Sequence, residues 1–256
     1  MEVSLAPEAW VEAVERATLD AVSPEVIDTI DGWLLPMDSG TIGRAKSAVP
    51  LRHAGLSLAD AQSQVLAIEQ IYRDRGHRAV FRLPFNSGLN ALHKALAARG
   101  YQASQATLVQ TGSVAAMRAV TRDAPADVDD VPDEAWAQLF LGEGCDPVDG
   151  AHRIRNLSRS TSNVYASLRE GGQTLAGGVA SFAHGWASVH GMRTHTSQRG
   201  RGLAGRVLAC LADAAKRRGF EQVFLQVDAD NLAAQCLYRR AGFTSAWTYQ
   251  YWKTAG

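Results

Sequence analysis

The stretch Arg-Asp-Arg-Gly-His-Arg-Ala-Val-Phe at residues 73–81 recurs in outline as Lys-Arg-Arg-Gly-Phe-Glu-Gln-Val-Phe at residues 216–224, an offset of 143 from Gly76 to Gly219. Each copy reads as a helix tail, a glycine stop and an apolar strand. The match continues: Leu92–Tyr101 parallels Ala234–Phe243, with Gly100 answering Gly242 at an offset of 142. A repeat on this scale limits the chain to folds made of two related halves, each running helix, glycine stop, strand, second helix, Gly-aromatic, final strand. Between the halves, residues 121–132 are polar and interrupted by Pro125 and Pro132, as in a linker. The expected organisation is therefore residues 1–120 followed by residues 121–256.

In the second half, Val164–Arg169, Thr174–His184 and Trp186–Thr194 predict an antiparallel meander with Gly171-Gly172 and Gly185 at its turns. An amphipathic helix from about Leu203 to Arg218 follows, burying Leu203, Val207, Leu211 and Ala214. The short apolar run Val223–Val227 then reads as a strand reached by a right-handed crossover and buried on both faces. The fold class is α/β, an α+β mixed sheet flanked by helices. A ligand crevice is expected at this βαβ unit.

Composition narrows the partners. The 256 residues are 46% hydrophobic, and 26 basic side chains balance 26 acidic ones, so no overall field favours nucleic acid or an anionic membrane. The first twenty residues carry Glu2, Glu8, Glu12, Glu15 and Asp20 without a long apolar run, so neither a leader nor an anchor is expected, and the cytoplasm is the expected location. Cys145, Cys210 and Cys236 are an odd number with no close pair, which disfavours a disulfide framework. The seven histidines lack metal-ligand spacing, so no metal is expected.

The chemistry concentrates in Gln198-Arg199-Gly200-Arg201-Gly202-Leu203-Ala204, between a strand and a helix, and in Asn231 with Leu237-Tyr238-Arg239-Arg240-Ala241-Gly242-Phe243 beyond it. Glycines in a strand-to-helix turn let backbone N–H groups face an anion, and the helix N-terminus adds partial positive charge. That suits the pyrophosphate of coenzyme A. The order strand, Arg-x-x-Gly-x-Ala turn, helix, strand, Asn and Leu-Tyr-x-x-x-Gly-Phe resembles the GNAT superfamily of acyl-CoA-dependent N-acyltransferases. The resemblance covers residues 160–252 by specific motifs and residues 30–112 by general pattern, giving tandem GNAT-like domains, each with its own mixed, centrally splayed sheet flanked by helices. In the first half Leu56, Ala59 and Leu96 stand opposite Arg199, Gly202 and Tyr238, so that copy lacks the turn and the hydroxyl. It is read as a degenerate domain contributing an interface or part of a substrate wall.

The resemblance implies an acetyl-CoA-dependent N-acetyltransferase whose central strands splay apart around the pantetheine arm. It places Met192, Arg193 and Thr194 on the pantetheine-pairing strand, Arg199–Ala204 at the phosphates, Asn231 on pantetheine, and Tyr238 at the thioester sulfur as general acid. Asn231 and Tyr238, seven residues apart on one predicted helix, would share a face. The family's strand glutamate falls at Trp186 here, which leaves the base open. His190, which shares the strand parity of Trp186 and Met192, is the candidate unless Gly191 marks a bulge. Trp186 would wall an acceptor pocket and Arg44 could hold a carboxylate. The expected acceptor is a small primary amine or amino acid. A ribosomal-protein N-terminal acetyltransferase and a non-catalytic acyl-CoA sensor are the alternatives. An unpaired edge strand in either half could pair between the domains or between subunits, which leaves a homodimer open.

Overall fold

The structure, a computed structural model, describes residues 8–142 and 144–255. Its elements in chain order are α1 (Glu8–Val22), β1 (Val26–Ile30), β2 (Trp33–Met37), β3 (Val49–Pro50), α2 (Leu58–Asp74), β4 (Phe81–Pro84), α3 (Asn90–Ala98), β5 (Tyr101–Ser113) and α4 (Val114–Arg118). The second half holds β6 (Asp127–Asp129), α5 (Glu134–Leu141), α6 (Pro147–Arg159), β7 (Asn163–Glu170), β8 (Gln173–Ala183), β9 (Trp186–Thr194), α7 (Leu203–Arg217), β10 (Gln222–Asp228), α8 (Leu232–Arg240) and β11 (Thr244–Thr254).

The meander, crossover helix and crossover strand lie where the sequence puts them. Gly171 and Gly172 at φ +56° and +81° close the β7–β8 hairpin. His184 and Gly185, also at positive φ, close the β8–β9 hairpin. Two left-handed residues in a two-residue loop match the twist of the strands they join. The repeat is visible in the same terms: Gly76 and Gly219 follow α2 and α7, and Gly100 and Gly242 follow α3 and α8, all four at φ between +74° and +83°.

The sheet itself departs from the expectation that each half closes its own. One eight-stranded mixed sheet has the order β4-β11-β5-β10-β9-β8-β7-β6 and takes strands from both sides of residue 120. β5 lies antiparallel between β10, from Gln222↔Ser113 to Asp228↔Thr107, and β11, from Thr244↔Thr111 to Thr254↔Tyr101. β11 in turn pairs with β4. The repeat equates β4 with β10 and β5 with β11, so each half's last strand lies beside the other half's crossover strand. The order β4-β11-β5-β10 reads the same under that exchange. A separate sheet, β1-β2-β3, abuts β4 through the parallel bridge Ala48↔Phe81 and so takes the place that β7-β8-β9 takes beside β10.

Two further segments differ from the sequence reading. The linker region contributes β6, an edge strand on β7, because the alternation Asp127-Val128-Asp129 turns one apolar side chain onto the core and two carboxylates outward. The acidic N-terminus forms α1, whose buried face carries Val11, Val14, Thr18 and Leu19. Its Glu15 is also buried and meets Arg82 of β4 at 2.7 Å, both side chains withdrawn from water. The two faces of the sheet thus have different cores. α7 packs Leu203, Val207, Leu208 and Leu211 over Val189, Val223 and Leu225 on one side. On the other, α1 covers Trp186, Phe224, Val109 and Tyr249.

Candidate active site

β9 and β10 run parallel but pair only over Ala187↔Val223, Ser188↔Phe224 and Val189↔Leu225. Beyond Val189 and Leu225 the strands part, leaving one edge of residues 190–194 without a ladder partner. Gly191 at φ +57° helps turn β9 away. The register against β8 slips between Gly177↔Arg193 and Val179↔His190, so β9 carries one extra residue there, a bulge. A Cβ at Gly191 would also approach Leu157 Cδ1 to 3.1 Å, a tight contact added to the strain of that φ.

On the α7 side this split opens into a cleft of about 730 Å³. Met192, Arg193 and Thr194 line it from β9; Arg199, Gly200, Gly202, Leu203 and Ala204 from the turn; Asn231 and Tyr238 from the far wall. Gly202 is the N-cap of α7 at φ +77° and provides no side-chain cap. The first N–H groups of α7 therefore lack intrahelical partners at the cleft wall. Arg193, Arg199 and Arg240 add positive charge, opposed by Asp123. Arg201 does not line the cleft and donates to Gln198 Oε1.

Asn231 is the N-cap of α8 rather than a residue within it. Its Oδ1 accepts from Ala234 N–H at 3.1 Å, which leaves its amide N–H₂ as the donor for a ligand. Tyr238, at the end of that helix, is 8% exposed, with its ring edge-on to Phe243. Burial pushes its hydroxyl up to about pKa 12, so the phenol stays protonated at neutral pH. Val120, Thr121 and Asp123 complete the wall from the stretch joining the halves. No motif marked them, because packing against α7 and not local pattern brings them there.

The remaining candidates lie on the α1 side. Trp186 is 5% exposed, between Trp10 and Phe224, at the end of β9 remote from the split, and it does not line the cleft. His190 is 3% exposed and bonds Ser188 Oγ through Nε2 at 2.8 Å. Burial, with a smaller contribution from the Arg44 cation, lowers its pKa to about 3. Such an environment disfavours the charged imidazole, which weighs against the role of base expected for His190. Arg44, on the 3-10 turn Gly43–Lys46, does reach the split, donating to Gln226 Oε1 at 3.4 Å. Among the described residues no group of His, Cys, Asp and Glu is arranged to hold a metal, and no helix is long and apolar enough to cross a membrane.

The model of the family described as "Probable histone acetyltransferase Rv0428c C-terminal" matches residues 9–252. The chain belongs to this family. It is a GNAT-superfamily N-acetyltransferase. An uncharacterized N-acetyltransferase, YobR of Bacillus subtilis, is 25% identical over 246 residues, covering 94% of this chain and 97% of the relative. N-alpha-acetyltransferase RimI of Mycobacterium tuberculosis is 39% identical over 115 residues, 43% of this chain and 68% of the relative. The fold is shared with a GCN5-related N-acetyltransferase from Kribbella flavida, at TM-score 0.70 and 16% identity over 96% of both chains. It is also shared with a tandem GNAT protein from the clavulanic acid biosynthesis pathway, at TM-score 0.60 and 12% identity over 94% of both.

Proposed function

We propose that this acetyltransferase takes its acetyl group from acetyl-CoA and transfers it to the primary amine of a small molecule or amino acid. The observation that carries the proposal is one cleft joining an uncapped helix N-terminus to a buried phenol across a split pair of strands. The donor set fits the cosubstrate: N–H groups and arginines for phosphates at one end, an unpaired strand edge along the middle, and a protonated hydroxyl at the other. A volume of about 730 Å³ is in the range of pockets that enclose most of a ligand. The turn Arg199–Ala204 would hold the pyrophosphate, and the edge of Met192–Thr194 with the Asn231 amide would hold the pantetheine.

Acetyl-CoA supplies an activated thioester carbonyl. Tyr238 holds a proton in the cleft and gives it to the departing sulfur as a free amine attacks the carbonyl and the C–S bond breaks; the proton shed by the newly acylated nitrogen passes through solvent and restores the phenol. The acceptor enters as the unprotonated amine. We assign acetyl-CoA binding to residues 121–256 and an acceptor-side role to residues 1–120, because Arg44 and α1 roof the face opposite the cleft.

The test is thiol release from acetyl-CoA against amino acids, simple amines, aminoglycosides and peptides with free N-termini. Turnover of a small amine, reduced at least about tenfold by Tyr238→Phe, is expected. Turnover of peptides alone would instead favour N-terminal protein acetylation, the second reading, which the RimI similarity supports.

A further inference from the structure

The face opposite the cleft carries a cluster of polar side chains at the same split. His190 and Gln226 are the first residues past the last β9–β10 pair. Around them stand Thr18 from α1, Tyr249 and Tyr251 from β11, and Arg44. Gln226 ties the group together: its Nε2 donates to Thr18 Oγ1 at 2.8 Å, and its Oε1 accepts from Tyr249 Oη at 2.9 Å and from Arg44 at 3.4 Å. The turn bearing Arg44 is fixed in place. Gly43 lies on the Tyr251 ring, where a Cβ would come within 2.8 Å of the ring carbon Cζ; Ala45 is fully buried; and Lys46 Nζ donates to Gly40 O at 2.7 Å.

Arg44 differs from the other arginines withdrawn into the molecule on this side. Arg82 meets Glu15 at 2.7 Å, and Arg159 meets Asp38 at 2.5 Å. Arg44 is partly buried, yet among the described residues no carboxylate lies within ion-pair distance of it. Its neighbours Gln226, His190 and Tyr251 are neutral at pH 7; burial holds the imidazole down and the phenol up. A guanidinium drawn out of water without a counter-charge is costly, and its planar fork of donors, here engaged once at long range, matches a carboxylate.

We propose that Arg44 receives the carboxylate of the acceptor, so that the substrate is a small amine that is also an acid, a free amino acid or close analogue, with its amine directed into the strand split. The inference rests on reading the cleft as the acetyl-CoA site. It makes the first half part of the acceptor pocket through a specificity-determining residue.

The experiment compares the common amino acids with their own carboxamides as acceptors for the wild type, Arg44→Gln and Arg44→Lys, with acetyl-CoA affinity measured by calorimetry for each. The wild type is expected to favour an acid over its amide by at least about tenfold in kcat/KM, expressed in KM. Arg44→Gln should bring that ratio close to one, and Arg44→Lys should keep part of it, with acetyl-CoA affinity the same in all three. Equal use of acid and amide by the wild type, or an undiminished preference in Arg44→Gln, would overturn the proposal. So would acetyl-CoA binding with acetylation of non-acidic amines alone, a result the transferase reading survives. Failure to bind acetyl-CoA would sink the cleft reading instead. Acid-against-amide shifts in melting temperature then read Arg44 without turnover: a shift specific to the acid and lost in Arg44→Gln supports the assignment, and its absence in the wild type refutes it.

Discussion

Residues 121–256 expressed alone should fail to fold into a stable unit, although they contain every residue assigned to the acetyl-CoA cleft except Val120. Removing residues 1–120 takes away β5, the strand between β10 and β11. The β10 ladder alone runs from Gln222↔Ser113 to Asp228↔Thr107, roughly half a dozen backbone hydrogen bonds at about 1 kcal/mol net each. The ladder to β11 is of similar length. With Val109, fully buried between Phe224 and Trp247, another roughly 2 kcal/mol of apolar burial is lost. These losses reach the about 5–15 kcal/mol that holds a typical domain together, and they leave two edges of an apolar sheet bare. The assay is thermal unfolding by circular dichroism, with acetyl-CoA binding by calorimetry, on residues 121–256, on the full chain, and on the fragment co-expressed with residues 1–120. Loss of a cooperative transition and of binding in the fragment, restored by co-expression, is expected. A fragment that melts cooperatively and binds acetyl-CoA within about tenfold of the full chain would refute the reasoning, and the strand exchange would then be dispensable.

Four further outcomes are expected. Tyr238→Phe should lower kcat at least about tenfold with little change in melting temperature, because among the described residues the hydroxyl has no hydrogen-bond partner to lose; steady-state kinetics and a melt check both. Gly202→Val should weaken acetyl-CoA binding by about tenfold or more, since a β-branched residue resists φ +77° and its side chain would intrude at the α7 N-terminus; calorimetry reads it. Glu15→Gln should destabilise by about 3 kcal/mol, leaving the Arg82 charge buried without its partner, as read by urea unfolding. Burial depresses His190 to about 3 and His53 to about 4, so between those values and pH 6.5 the unfolded chain binds more protons than the folded one. Stability should therefore be full above pH 6.5 and fall as pH drops towards 4, a slope that His190→Gln makes shallower in melts across that range.

Much of the cleft was legible because its chemistry is local. Gly200 and Gly202 mark a left-handed turn wherever the rest of the chain goes, and a strand before them with an amphipathic helix after them fixes a helix N-terminus at Leu203. Tyr238 two turns into the next helix follows from periodicity alone, although the cap at Asn231 begins that helix one residue later than the shared-face reading assumed. The wall of Val120, Thr121 and Asp123 and the polar cluster of Gln226, Tyr249 and Tyr251 were not legible, since they form by contacts between elements far apart in the chain. His190 shows the same division. Its place on β9 could be read from alternation, but its neutrality depends on how completely α1, β10 and the Arg44 turn enclose it.

The repeat carries the sharpest contrast. The sequence determined both copies of helix, glycine stop, strand, helix, Gly-aromatic and strand, because each element depends on propensities and periods within a few residues. It did not determine that β5 and β11 would change places. Strand pairing is long-range, and two related halves offer each final strand two similar edges, so only the packed structure decides which edge it joins. That choice fuses the halves into one sheet and fixes the connection between β5 and β6 along the cleft wall, while the remainder of the first half places Arg44 at the split.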